Sequence, residues 1–405
     1  MENNFDILII GAGPSGCVAA AYLSNKKFKI KVVEKTIFPR FVIGESLLPR
    51  CMDHFDEVGL LDSLIYQNFE IKRGVRFIKN KKSSDFLFND KHTEGWEWTW
   101  QAPRADFDNV LANEIISKGV DVAFNNEVIG VDFDNLGNSI TTIIDENDKT
   151  YKIKAKYIID SSGYGRVLPK LLNLIKPPEN TNYYTIFSHV KLKSEKNFFR
   201  NTTIHLIDDN IWGWEIPFSN GVTSMGFVGR SDYFEDYGDS LKDKFFKLLE
   251  KTFQYDVYSN IDLVFDPIEL KNYSKAVKNL YGNGYVLTGN SAEFLDPIFS
   301  SGVALATESG LLAAKLIEKE LLGKPVNWKS DYSDYLSKGA DVFRTYVKEW
   351  YSGKLKTIFF SDRTNPIFKK QITSVLAGYV WDDSNPFVSK HNKIIENLEH
   401  IINMN

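Results

Sequence analysis

Residues 5–24 read FDILIIGAGPSGCVAAAYLS. Apolar residues come first, then three glycines, then an alanine-rich stretch. That is the order of a buried strand, a tight turn and a helix packed closely on the strand. Gly11, Gly13 and Gly16 stand in G-x-G-x-x-G spacing. The first permits the turn, the second lets backbone approach a pyrophosphate, and the third lets helix and strand touch. Pro14 and Ser15 open the helix, whose free N–H groups and positive dipole end suit the anion. The next strand, KIKVVEK at 29–35, ends in Glu34 and Lys35, which puts a carboxylate where ribose hydroxyls bind. The stretch predicts a dinucleotide site in a Rossmann-like α/β domain.

The 405 residues allow two or three domains, or one composite domain with insertions. A net charge of -4 gives nucleic-acid binding no support. Aromatic residues make up 14% of the chain, which suits a pocket for a flat ligand or an aromatic-rich core. Cys17 and Cys51 have no metal-ligand spacing, and no metal site is expected; two buried thiols fit a reducing cytoplasm. No apolar run reaches the roughly 20 residues of a membrane span.

Two later segments return to the nucleotide fold. YIIDSSGYGR at 157–166 is an apolar strand ending in a small-residue turn at Ser162 and Gly163. GYVLTGNSAEFLDPIFSSGVALATESG at 284–310 is strand, turn and helix. With APRADFDNVLA at 102–112, the set resembles the flavoprotein monooxygenase and hydroxylase class. That resemblance implies FAD, with Arg104, Gly289 and Asn290 near it. The class usually has Gly-Asp where this chain has Gly289-Asn290; an asparagine still accepts a hydrogen bond but carries no charge.

Residues 211–220 read IWGWEIPFSN. Trp212 and Trp214 share one face of a strand, because side chains alternate. The order of residues 212–217 matches W-x-W-x-I-P of the flavin-dependent halogenases, and the chain resembles that family. In it, such a wall keeps the organic substrate from the flavin.

NFEIKRGVRF at 68–77 resembles the family's stretch with its catalytic lysine, here Lys72 followed five residues later by Phe77. Strand alternation puts Lys72 and Gly74 on one face and Arg73 on the other. A run of solvated charges that includes Arg73, Arg76 and Lys79 is the competing reading, with Lys79 the weaker catalytic candidate. FLDPIFSSG at 294–302 matches F-x-x-P-x-x-S-x-G. This implies flavin contacts at Pro297, Gly302 and Val303, and a halide site at the backbone of Ser301 and Gly302. RFVIGESLLPR at 40–50 resembles the strap over the flavin, with Gly44, Glu45 and Ser46. Glu45 could instead cap a helix beginning near Leu47.

Tryptophan halogenases are longer and carry a glutamate where this chain has Phe299. The resemblance therefore implies a phenol or pyrrole substrate, free or carrier-bound. With one dinucleotide fingerprint, reduced flavin would come from a separate reductase. A flavin-dependent hydroxylase, a geranylgeranyl-reductase-like enzyme and a non-enzymatic flavin-binding protein are the alternatives.

The expected architecture is an FAD-binding domain in three pieces (1–65, 98–182 and 275–325). An antiparallel sheet domain (66–97 and 183–274) and a C-terminal helical segment (326–405) complete it. Phe343, Tyr346, Trp350 and Tyr351 lie at helical spacing and are expected to pack on the flavin domain.

Overall fold

The computed structural model describes residues 4–177, 183–192, 200–208, 210–252, 261–271 and 275–404. A parallel set of strands forms the centre of the first sheet. Its order is Tyr285–Leu287, Thr150–Asp160, Asn4–Ile10, Ile30–Val33 and Asp121–Ala123. Register brings Ile10 beside Asp160 and Val33, and Asp160 beside Leu287. The three turns singled out in the sequence therefore meet at one edge, outside the carboxyl ends of the strands. Ligands bind there in open α/β sheets.

Close packing explains the glycines. A Cβ on Gly16 would lie 2.0 Å from the Gly11 carbonyl oxygen, and one on Gly310 would lie 2.4 Å from that of Ser15. Helices Pro14–Ser24 and Gly302–Leu321 consequently pack backbone to backbone under the cofactor edge.

The second sheet is mostly antiparallel. It runs Ile261–Leu263, Tyr183–Leu192, Val222–Arg230, Ile211–Pro217, Thr202–Leu206, Gly74–Lys79 and Lys82–Leu87. Met225 and Phe227 on one face pack with Phe245, Leu248 and Leu249 of helix Leu241–Thr252. Trp212, Trp214 and Ile204 on the other face join the main core. The fold is thus α/β, with a Rossmann-like unit beside an antiparallel sheet. Helices Tyr335–Tyr351, Lys354–Phe360, Pro366–Leu376 and His391–Met404 follow. Phe343, Tyr346 and Trp350 are buried in the main core, as the helical spacing implied.

Two local expectations change. Residues 68–77 do not continue as one strand. Glu70–Lys72 pairs with Thr99–Gln101, and after Arg73 the chain enters the large sheet as Gly74–Lys79. The alternation survives the break: Lys72 and Gly74 are buried and Arg73 is exposed. The helix expected near Leu47 begins at Arg50, so Glu45 caps nothing and instead pairs with His189. Among the described residues, no helix is long and apolar enough to cross a membrane, and no cluster of His, Cys, Asp or Glu could hold a metal.

Candidate active site

A cavity of about 450 Å³ lies along the shared edge of the strands. Gly11, Gly13, Pro14, Ser15, Glu34 and Lys35 line its first end. Ser162, Gly163, Gly289 and Asn290 line its middle. The strap residues Gly44, Glu45 and Ser46 border it with Arg104, Pro297, Gly302, Val303 and both tryptophans. Gly16, Lys72 and Ser301 do not line it. Gly16 acts in packing, and Ser301 is buried at the N-cap of helix Gly302–Leu321.

The cradle fits FAD. Gly11 has φ +98°, and a Cβ there would lie 2.6 Å from the Ser161 carbonyl oxygen, so only glycine makes this turn. A Cβ on Gly13 would meet only Arg40, at 3.8 Å, which leaves that backbone open to a pyrophosphate. Glu34 Oε2 accepts from Ala12 N at 2.9 Å, and Oε1 accepts from Thr36 N at 3.0 Å and Thr36 Oγ1 at 2.8 Å. The carboxylate is therefore locked at the end of its strand. Asp160 fixes the second turn by accepting from Ser162 N and Leu168 N, at 2.9 and 2.7 Å. Ser15 Oγ donates to Thr288 Oγ1 at 2.8 Å, tying the first turn to the third. Lys35 is exposed and spends its ammonium on Glu127 at 2.7 Å.

The strap is held from both sides. Arg104 forms a bidentate pair with buried Asp108, at 2.8 and 3.0 Å. It also donates to the carbonyls of Ile43 and Gly44 at 3.4 and 3.3 Å. Arg104 therefore borders the cavity and clamps the strap. On the other side, Ala102 N donates to Glu45 O and Leu47 N to Trp100 O, at 2.9 and 3.1 Å. The strap thus lies on strand Thr99–Gln101, whose far edge pairs with Glu70–Lys72.

Lys72 reaches the strap from that far edge. Its side chain is 1% exposed, and Nζ donates to Leu47 O at 2.9 Å. Phe88 packs 5.4 Å from the nitrogen. Burial brings its pKa down to about 7, because an ammonium loses its hydration there. One residue before Leu47, Ser46 Oγ shares hydrogen bonds with Thr202 Oγ1 at 2.8 Å and Ser300 Oγ at 3.3 Å. Lys72 is therefore set one strap residue away from the Ser-Ser-Gly loop. Lys79 sits at the other end of strand Gly74–Lys79, paired across the hairpin with exposed Lys82.

Trp212 and Trp214 share a face, with ring centroids 6.2 Å apart. Gly226 makes room for Trp214, since a Cβ there would fall 2.3 Å from the indole. Trp214 Nε1 donates to Ser224 Oγ at 3.0 Å. Trp212 Nε1 instead donates to Tyr351 Oη at 3.1 Å. Trp98 and Trp100 stack edge to face at 5.3 Å beside the strap, with Trp96 next in line at 5.5 Å from Trp98.

The polar contacts of three residues at this site were not expected from the sequence. His189 Nε2 lies 2.6 Å from Glu45 Oε1. Tyr351 Oη donates to Asp296 Oδ2 at 2.9 Å, and Asp296 Oδ1 accepts from Ile298 N at 3.0 Å. Burial pushes the Asp296 carboxyl up to about 6, against those two hydrogen bonds. Asp296 lies within the F-x-x-P segment and Tyr351 among the aromatics at helical spacing, which were the available signals; His189 had none.

Residues 4–194 match the family model of an FAD binding domain. A flavoprotein/dehydrogenase from Cytophaga hutchinsonii superposes with a TM-score of 0.97 and 44% identity, over 99% of each chain. The 1H-pyrrole-2-carbonyl-[peptidyl-carrier protein] chlorinase of Pseudomonas fluorescens is 27% identical over 99% of this chain and 94% of its own. The corresponding brominase of Pseudoalteromonas luteoviolacea is 26% identical, over 94% and 93%. With the cradle, the strap and the tryptophan strand in place, the chain belongs to the FAD-binding flavoproteins, is an FAD-dependent oxidoreductase, and is similar to the flavin-dependent halogenases.

Proposed function

We propose that the chain halogenates an electron-rich aromatic ring, a phenol or a pyrrole, free or tethered to a carrier. The observation that carries this reading is Lys72: a buried amine with one hydrogen-bond acceptor, held behind the strap and away from the cofactor cavity. A lysine kept for solubility would not be placed there, because burying its charge is costly. The likeness to two enzymes named for pyrrole carbonyls on carrier proteins supports the substrate class.

The cradle residues Gly11, Gly13, Glu34, Ser162, Gly289 and Asn290 would hold FAD. Reduced FAD, when bound, supplies with O₂ the oxidising equivalents that turn halide into hypohalous acid. Halide sits at the start of helix Gly302–Leu321, where Ser301 makes no side-chain cap. The first-turn N–H groups, at the positive end of the helix, are thereby left for an anion. Trp212 and Trp214 close the cofactor side to the aromatic substrate.

Lys72 then takes the halogen. Its neutral amine attacks hypohalous acid to give the N-haloamine and water. The aromatic carbon displaces the amine from halogen, and the ring proton leaves with the solvent. With a pKa of about 7, the amine is neutral in useful amount at cellular pH and its lone pair is available. Product formation should therefore rise as pH rises through about 7.

A separate reductase supplies the reduced flavin, and two buried free thiols suit a reducing cytoplasm. The division into a three-piece FAD-binding domain, a sheet domain and a C-terminal helical segment is part of the same proposal.

The test combines the purified chain, reduced FAD, O₂ and chloride or bromide with a panel of phenols and pyrroles, read by mass spectrometry. Halogenated products and one FAD per chain are expected. Hydroxylated products, with efficient reduction of the bound flavin by NADPH alone, would make it a hydroxylase. Saturated double bonds would make it a reductase.

A further inference from the structure

We infer that Tyr351 is the positioning residue that sets the tryptophan wall in register with the flavin loop. Its hydroxyl stands between two elements that no strand pairing joins. On one side it accepts from Trp212 Nε1 at 3.1 Å. On the other it donates to Asp296 Oδ2 at 2.9 Å. Asp296 spends its second oxygen on Ile298 N at 3.0 Å, which caps the turn Pro297–Phe299 leading into the Ser-Ser-Gly loop. One hydroxyl at the end of helix Tyr335–Tyr351 thus links the sheet, the C-terminal helix and the loop against the flavin.

The two indoles differ in how they are held. Trp214 is anchored inside its own sheet, by Ser224 on the adjacent strand. Trp212 is anchored outside it, through Tyr351. Trp212, Pro297 and Ser300 line the same cavity, so a rotation of Trp212 changes the width between wall and loop. The Tyr183 ring, on strand Tyr183–Leu192, packs 5.3 Å from that of Tyr351 and backs the phenol. A hydrogen bond of ordinary strength biases a side-chain orientation by roughly fivefold. Losing both bonds of Tyr351 should therefore loosen Trp212 while the aromatic packing persists.

The inference rests on the tryptophans forming a wall beside the flavin, and the experiment separates the two claims. Fluorescence of bound FAD is measured, with peroxide released as reduced FAD reoxidises; neither requires halogenation. Trp212→Phe is the reference: if it leaves flavin fluorescence unchanged, the wall reading fails. Given a change there, Tyr351→Phe should move fluorescence in the same direction and raise peroxide. Its melting temperature and FAD affinity should stay close to those of the unaltered chain. Asp296→Asn keeps one acceptor for two donors, the Tyr351 hydroxyl and Ile298 N–H, and should move the spectrum part of the way. Asp296→Ala breaks the link from the loop side and should reproduce Tyr351→Phe. Unaltered fluorescence and peroxide in whichever of Tyr351→Phe and Asp296→Ala folds would overturn the inference.

Discussion

Glu34 and Lys72 are both buried charged residues, on opposite sides of the strap, and they are treated in opposite ways. Glu34 accepts three hydrogen bonds from its own neighbourhood, so its charge is compensated before any ligand arrives. Lys72 donates to one backbone carbonyl and packs against a phenylalanine ring. A saturated group holds a position; an under-coordinated one is left with reactivity. In the proposed function the cofactor cradle would be a holding region and the lysine site a reacting region, with the strap between them.

The largest expected effect comes from breaking that separation. Trp214→Ala removes a ring that is 7% exposed and should cost about 3–5 kcal/mol of stability. If the rings also divide the two regions, the folded variant should lose product, release more peroxide and keep reoxidising flavin. A melting curve and a peroxide assay on the same samples separate the contributions. Unchanged coupling in folded enzyme would reduce Trp214 to packing.

A smaller effect is expected on the holding side. Glu34→Gln keeps the shape and loses the charge-assisted bonds. FAD affinity should fall by about 1.5–3 kcal/mol, by titration, while product per bound flavin stays constant. A loss of turnover at saturating FAD would blur the contrast between the two groups.

Much of the fold was legible because glycine spacing and small-residue turns are local signals. Gly11, Gly16 and Gly289 leave no room for a side chain, and the sequence records that directly. Lys72 was singled out by its spacing to Phe77, but that spacing gave no sign of the break at Arg73; it arises because Glu70–Lys72 finds its partner in Thr99–Gln101, outside the large sheet. The hydrogen bonds of His189 and Tyr351 were illegible for a physical reason. Their partners Glu45 and Asp296 lie 144 and 55 residues away in the chain, and no periodicity links residues that meet only through tertiary packing. Arg104, expected near the flavin, lines the cavity, and its guanidinium is occupied by Asp108 and the strap.

The last expected effect is thermodynamic and is read as a pH dependence. The Lys72 pKa is lowered on folding, from an ordinary 10.5 to about 7. The unfolded chain therefore binds more protons than the folded one between those values, and stability rises with pH across that window. Lys72→Met removes the difference, so its melting advantage over the unaltered chain should be largest at pH 7 and below, and should shrink toward pH 10. A constant difference would mean that the buried amine is not depressed.

The most direct test of the account is Lys72→Met assayed for two outputs at once, flavin reoxidation and halogenated product. Reoxidation and FAD binding should stay close to those of the unaltered chain, with product lower by roughly 10²–10⁴-fold. Near-normal halogenation by this variant would contradict it, and the reaction would then have to be placed elsewhere in the molecule.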